Sequence, residues 1–410
     1  VGERGAYPRL SVEEAQERVL ARFGPLAPER VPVLDGLGRV LAEDIVADMD
    51  VPPLDNSAMD GYAVRSDDIG GASRDRPARL RVVAELAAGR VGERGVGRGE
   101  AARIMTGAPL PPGADTVVRF EETRWGEDFV EILNSVPRGR NVRRAGEDVR
   151  KGRVVLPQGT VLRPQEIGML ASLGRPEALV IRRPRVGILA TGDEIVGITD
   201  EVGPGQIRNI NGYSTAAQVL KHGGLPVLLG CAPDRAAELA AKLQEGIAAR
   251  VDLFVTSGGV SVGDYDLVKD VLATAGLIEF WAINMQPGRP MAFGTIGGTP
   301  LLGLPGNPVA AMVSFELFAR PAIRKMLGYP DWEWRSVEAR LRTTIERNDA
   351  YRHYLRVRLR PGQDGLEAEL TGDQGSGILR SLVLADGLAV IPEASGPLAA
   401  GTRVRVLVLD

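Results

Sequence analysis

Cysteine and histidine are nearly missing from this 410-residue chain: Cys231 is its one cysteine, and His222 and His353 are its two imidazoles. One cysteine excludes an internal disulfide framework and a cysteine-ligated zinc or iron–sulfur site within a single chain. Two histidines argue against an imidazole metal cluster or a relay triad. A metal held by this chain must therefore be held by oxygen, which favours magnesium or a similar hard ion. Long apolar runs are missing as well. No stretch reaches the roughly 18 to 20 residues that span a bilayer, and the start Val1-Gly2-Glu3-Arg4 has no apolar leader core. The expectation is a cytoplasmic protein with no membrane partner. An excess of one charge is missing too: 50 basic residues face 53 acidic ones, net −3, which makes no electrostatic case for nucleic acid or an anionic membrane.

What is present is an ordinary globular composition, 44% hydrophobic and 25% charged. Its length exceeds what one core organises, roughly 250 to 300 residues, so several domains are expected. Ser11 with Glu14 three positions on is a capping box, opening an amphipathic helix over about Leu10 to Phe23. Pro52-Pro53 then breaks the pattern. Met59 to Asp148 is dense in glycine, turns and short β-like runs (Leu80–Val83, Thr116–Phe120, Phe129–Leu133), as in a β-rich domain inserted into another. A strand from Val154 and a helix over Pro164–Leu173 complete the interrupted element. Beyond Arg185, strands Val186–Ala190, Pro226–Leu229, Leu253–Thr256 and Pro300–Leu304 alternate with helices Ser214–His222, Arg235–Ala249, Asp266–Ala275 and Pro308–Leu327. That rhythm predicts a parallel sheet covered on both faces. After Pro330-Asp331, alternating runs such as Tyr354–Leu359 and Val404–Leu409 predict a small β-barrel or sandwich. The expected fold is multidomain α/β plus β. It has a discontinuous mixed linker domain (7–50 and 149–182), an inserted β-rich domain (51–148), a central doubly wound parallel-sheet domain with helices on both faces (183–330) and a C-terminal β-barrel or sandwich (331–410).

Ligands of such sheets bind in loops at the carboxyl ends of the strands. Thr191-Gly192-Asp193-Glu194 puts two carboxylates there, although the same tetrapeptide also suits an ordinary turn with solvated acids. The next strand runs into Ser257-Gly258-Gly259-Val260-Ser261-Val262-Gly263-Asp264-Tyr265-Asp266, where glycines admit a close ligand and hydroxyls and amides can donate to phosphate oxygens. Asp266 alone reads as a helix cap; with Glu194 from another strand end it could share a metal. Leu304-Pro305-Gly306-Asn307-Pro308 is a third such loop, with Asn307 as N-cap and Pro308 at the first helical position. Asp234 reads as a cap. In the inserted domain Asp60-Gly61 is by default a hairpin turn, while Ile104–Pro109 and Asn141–Asp148 fit a turn and a charge run.

In this order the segments resemble the MoeA family of molybdopterin molybdenumtransferases, which includes the gephyrin E domain and its plant counterpart. The matching stretches are Asn56 to Arg65, Ile104 to Pro109, Gly146 to Asp148, Thr191 to Glu194, Ser257 to Asp266, Pro287-Gly288-Arg289-Pro290, Leu304 to Pro308 and Gln374-Gly375-Ser376-Gly377. The resemblance implies a homodimer whose cleft combines one subunit's sheet domain with the partner's inserted domain. It implies magnesium, and a reaction in which adenylylated molybdopterin and molybdate give molybdenum cofactor and AMP. By position it assigns Asp60, Thr106 and Asp148 to the partner side and Glu194, Asp234 and Asp266 to an acidic cluster, with Glu194 and Asp266 as metal ligands. Ser257, Gly258, Gly259 and Ser261 fall in its pterin and nucleotide loop, as do Pro305, Gly306 and Asn307 in the next. Gln286, Arg289, Arg356 and Ser376 fall at its oxyanion-binding positions. Transient contact with the molybdopterin adenylyltransferase follows as an expected partnership.

Molybdate and pyrophosphate are anions, so they need cationic or amide donors, and carboxylates can face them only across a metal. The chain departs from the family pattern at Ala282, Gln286 and Arg289, where lysines are usual, and at Asn209, where an acid is usual. A tungsten-inserting paralogue, a nucleotide or pterin pyrophosphatase and a gephyrin-like scaffold are the alternatives.

Overall fold

The computed structural model describes residues 9–259, 276–346 and 349–409. These form two compact units, one from the described residues of Val1–Arg30, Gly38–Ala42 and Leu179–Asp410, the other from Val31–Leu37 and Glu43–Ala178.

The larger unit is built on a seven-stranded sheet. Strands Arg185–Thr191, Leu225–Ala232, Leu253–Ser257 and Thr299–Leu304 run parallel, with 185–191 between 225–232 and 253–257. Alternation sends Val186, Ile188, Leu253, Val255, Leu302 and Leu304 to one core. Leu189, Phe254 and Leu301 go to a second core that also holds Leu239 and Leu243 of helix Ala236–Ala248. A strand buried on both faces needs apolar residues at both parities, which is why these segments read as unbroken hydrophobic runs.

The sheet is mixed rather than wholly parallel. Strands Gly276–Ile283 and Pro290–Ile296 extend it antiparallel, and the second turns into 299–304 through Gly297-Gly298 at φ 54° and 83°. A two-residue hairpin of type I′ needs positive φ at both positions, which Gly-Gly supplies. The segment assigned to the linker domain also divides. Arg9–Leu10 pairs with 276–283 at the sheet edge, and helix Val12–Leu20 buries Val12, Ala15 and Val19 in the sheet's own core. The capping box is present: Ser11 Oγ accepts from the Glu14 N–H at 3.1 Å, and Glu14 Oε2 accepts from the Ser11 N–H at 2.8 Å. The helix expected over 308–327 contains a π turn at Phe315–Ala319 followed by Arg320–Met326. Pro321 has no N–H for the Leu317 carbonyl, and Gln16 Nε2 donates to that oxygen instead at 2.9 Å. The helix expected over 266–275 lies outside the described residues.

The C-terminal barrel is borne out. Arg352–Gly362 pairs with both Gly365–Leu370 and Gly387–Ile391, and Arg403–Val408 and Ser336–Leu341 close the ring. Met285–Gln286 adds to the barrel through Arg352 and His353. The smaller unit carries the expected β-rich domain, a six-stranded sheet ordered Thr116–Arg119, Gly61–Val64, Glu100–Ile104, Ala78–Leu86, Phe129–Ile132, Thr123–Trp125.

Where the N-terminal helix meets the barrel, Arg352 bonds Glu13 and Glu393, and Tyr354 is buried. Burial pushes the Tyr354 phenol up to about 12, more than Arg352 lowers it. The unfolded chain releases that proton near its ordinary value of about 10 and the native state holds it, so stability falls as pH rises through that window. Urea unfolding of wild type and Tyr354→Phe across pH 9 to 12 should show a shallower decline in the variant; equal slopes would remove Tyr354 as a cause.

Candidate functional site

The strands 185–191, 253–257 and 299–304 end side by side, and the loops beyond them line a crevice of about 440 Å³. Glu194, Asp234, Ser257, Gly258, Gly259, Pro305, Gly306 and Asn307 all face it, so four separate loops bring these expected residues together. Ser261 and Asp266 lie outside the described residues. The strand ends close tightly. Gly258 donates to the Leu304 carbonyl at 3.1 Å, and at φ 93° a Cβ there would stand 2.5 Å from the Thr191 carbonyl oxygen. Only glycine permits that approach.

Asp193 accepts the Asp234 N–H at 3.1 Å, tying two of the loops together. Asp234 does not cap the helix it precedes; the N-cap residue is Arg235. Two residues not chosen as site residues from sequence line the crevice as well. Asn209 caps helix Ile210–Lys221 through the Gly212 N–H at 2.8 Å and donates to Cys231 Sγ at 3.2 Å. Burial raises the Cys231 thiol above its ordinary value and outweighs that hydrogen bond, so it stays protonated and is no nucleophile at neutral pH. Asn211 is buried and donates to the Gly306 carbonyl at 2.7 Å, while its Oδ1 has no partner. The signal in sequence was the pair Asn209 and Asn211 at a helix start, where capping is the usual role.

Among the described residues no three His, Cys, Asp or Glu side chains lie close enough to hold a metal by themselves. The donors facing the crevice are nonetheless all oxygen: the exposed Glu194 carboxylate, Asp234, and the orphaned buried Oδ1 of Asn211. That set suits a magnesium-class ion and no softer one.

A second pocket, about 540 Å³, shares Pro290, Pro305 and Asn307 with the first and lies against the barrel. Gln286, Arg289 and Ser376 line it, with Tyr351 and Asp373. Gly288 stands at φ 107° with Ser314 Oγ 2.5 Å from where a Cβ would be, so the loop lies flat on the helix behind it. The Ser376 carbonyl accepts the Val309 N–H at 3.1 Å. Arg356 does not line this pocket. It is buried at 1% exposure, donating to Ser381 Oγ and the Gly375 carbonyl, both at 3.0 Å, while its N–H reaches Gln374 Oε1 at 2.8 Å. Its place is behind the 374–376 turn, which it holds: Leu355 and Val357 point into the barrel core, so Arg356 points to the barrel's other face, where the covering 374–381 segment supplies its acceptors.

In the smaller unit Asp60 and Thr106 meet. Asp60 Oδ1 accepts the Thr106 N–H at 2.7 Å and its hydroxyl at 2.8 Å, and these bonds, the backbone one foremost, hold the carboxyl below its ordinary range. Asp148 is exposed in a turn whose N–H donates to the Val51 carbonyl at 3.0 Å. Thr106→Val removes one donor and keeps the other. The Asp60 carboxyl should titrate higher than in wild type but still below an ordinary aspartate, measured by carbon-detected NMR; an unchanged value would show that the hydroxyl contributes nothing.

Three family models match the chain in order. They are the MoeA N-terminal region (domain I and II) over residues 10–174, a probable molybdopterin binding domain over 187–325 and the MoeA C-terminal region (domain IV) over 338–409. The chain is 39% identical over 402 residues to molybdopterin molybdenumtransferase 2 of Mycobacterium tuberculosis, covering 97% of this chain and 98% of that one. It is 35% identical over 405 residues to the molybdopterin molybdenumtransferase of Bacillus subtilis, covering 98% and 94%. Among solved structures it is similar to the molybdopterin biosynthesis MoeA protein of Pyrococcus horikoshii, with TM-score 0.83, 32% identity and 98% and 100% of the two chains covered.

Proposed function

The chain belongs to the MoeA family, and we infer that it is a molybdopterin molybdenumtransferase that joins molybdate to adenylylated molybdopterin and releases AMP. The observation that carries the reading is the crevice itself, where glycine-lined strand ends and carboxylates converge beside a pocket bearing Arg289.

We assign the amides and hydroxyls of Ser257, Gly258 and Gly259, with those of the Pro305-Gly306-Asn307 turn, to the pterin and nucleotide. Such groups offer donors without adding charge. Arg289, Gln286 and Ser376 in the adjoining pocket are assigned to the oxyanion, Arg289 supplying a fixed cationic fork. Arg356 serves this seat from behind, by holding the turn that bears Ser376. Glu194 and Asp266 are proposed to hold magnesium, with Asp234 beside them. Bound there, the ion would neutralise charge on the phosphoanhydride as a Lewis acid. No covalent enzyme intermediate is needed, so positioning and electrostatics supply most of the acceleration.

A homodimer is part of the proposal, with Asp60, Thr106 and Asp148 contributed by a second copy. Supporting it, helix 210–221 exposes Ile210 at 41%, Tyr213 at 47% and Leu220 at 59%, a stripe at helical spacing beside the exposed Val202 and Ile207. Exposed apolar stripes of this kind are covered in assemblies. No described helix is long and apolar enough to cross a membrane, in keeping with the proposed cytoplasmic location. The adenylylated substrate must come from an adenylyltransferase, with which transient contact is proposed.

The test is incubation with adenylylated molybdopterin and either molybdate or tungstate, with and without magnesium, following AMP and metal-loaded pterin. AMP release should require both the oxyanion and magnesium, with Glu194→Ala and Asp266→Ala reducing it about a hundredfold and Asp60→Ala impairing it. AMP release without an oxyanion would make the protein a pyrophosphatase, faster turnover with tungstate a tungsten-inserting paralogue, and full activity in all three variants would reject the site.

A further inference from the structure

We propose that the His353–Asp349 pair is a positioning device for the oxyanion seat, setting the Tyr351 ring against which Arg289 rests. The proposal deepens the reading above and rests on Arg289 being the oxyanion's cationic contact. His353 is buried at 2% exposure near the start of strand 352–362, paired across to Ile391 on one side and to Gln286 on the other. Its Nε2 lies 2.7 Å from Asp349 Oδ1, and the same oxygen accepts the Tyr351 N–H at 3.1 Å. The Asp349 carbonyl also accepts the Ala394 N–H at 3.2 Å. One carboxylate oxygen therefore ties the 349–351 turn to a side chain anchored in the barrel wall.

Tyr351 leaves that turn into the 540 Å³ pocket, where its ring centre stands 5.3 Å from the Arg289 guanidinium carbon. A half-exposed arginine on a flexible stem loses rotamer freedom when it engages an anion, and a ring already in place beneath the guanidinium lowers that cost. The ring helps only while its turn is fixed. The buried imidazole gives the exposed Asp349 a rigid partner in the barrel wall, with Nε2 as the proton donor. Gln286 lines the same pocket, on the short strand whose backbone pairs with 352–362 at His353.

His353 is a positioning residue, so the expected signature is a split between the two substrates. His353→Leu should raise the KM for molybdate about fivefold, the worth of one hydrogen bond, and leave kcat and the KM for adenylylated molybdopterin within about twofold. His353→Gln keeps an N–H donor at similar reach and should restore most of the loss. Tyr351→Ala should match His353→Leu, and the double variant should be no worse than either single one. A wild-type molybdate KM in His353→Leu, a parallel rise in both KM values, or no rescue by glutamine would each overturn the proposal. If His353→Leu does not fold, judged by thermal unfolding, Asp349→Ala reads the same contact by the same criteria. Arg289→Ala separates the two levels: an unchanged molybdate KM removes the seat and this proposal with it, whereas a raised KM there with none in His353→Leu overturns the positioning role alone.

Discussion

Negative groups cannot share a crevice unless something positive or strongly dipolar stands between them, and this constraint orders the whole sheet unit. Glu194 and Asp234 face the same space as the amides beyond 253–257 and 299–304. The two carboxylates outnumber the one guanidinium in the lining, Arg208, so a substrate carrying phosphate would meet a net negative surface. The all-oxygen donors and the orphaned Asn211 Oδ1 are what a hard cation would resolve. The adjoining pocket carries the Arg289 guanidinium together with the single acid Asp373. The two pockets adjoin, and Pro290, Pro305 and Asn307 belong to both.

The scaffold makes this possible by ending parallel strands at one level. A Cβ at Gly258 would push the Thr191 and Ser257 strand ends apart. The barrel has a comparable task. Its buried Arg356 holds the 374–376 turn, its Tyr351 backs Arg289, and Met285–Gln286 is hydrogen-bonded to its 352–362 strand. A small β domain beside an α/β sheet is in this way a wall of the site as well as a neighbour.

Much of this was legible in the residues. The capping box at Ser11 and Glu14, the four parallel strands and the alternating barrel runs follow from local rules that tertiary contacts did not override. The site loops were legible because strand ends are where doubly wound sheets bind ligands. What escaped was set by contacts distant in sequence. Strands 276–283 and 290–296 pair antiparallel through a Gly-Gly turn that reads equally well as a loop. Arg356, at an oxyanion-binding position by the resemblance, lines neither pocket, because an alternating run does not reveal that the face opposite the barrel core is itself covered. Residues 9–20 join the sheet through pairing with 276–283, burial of Val12, Ala15 and Val19, and the Gln16 bond to the Leu317 carbonyl, all partners far away in sequence.

The most direct measurement is anomalous scattering from crystals grown with manganese in place of magnesium together with AMP. The account predicts a manganese peak within roughly 2.0 to 2.6 Å of a Glu194 oxygen, with a nucleotide phosphate on the same ion. A phosphate held only by protein donors, with the manganese elsewhere or absent, would contradict it.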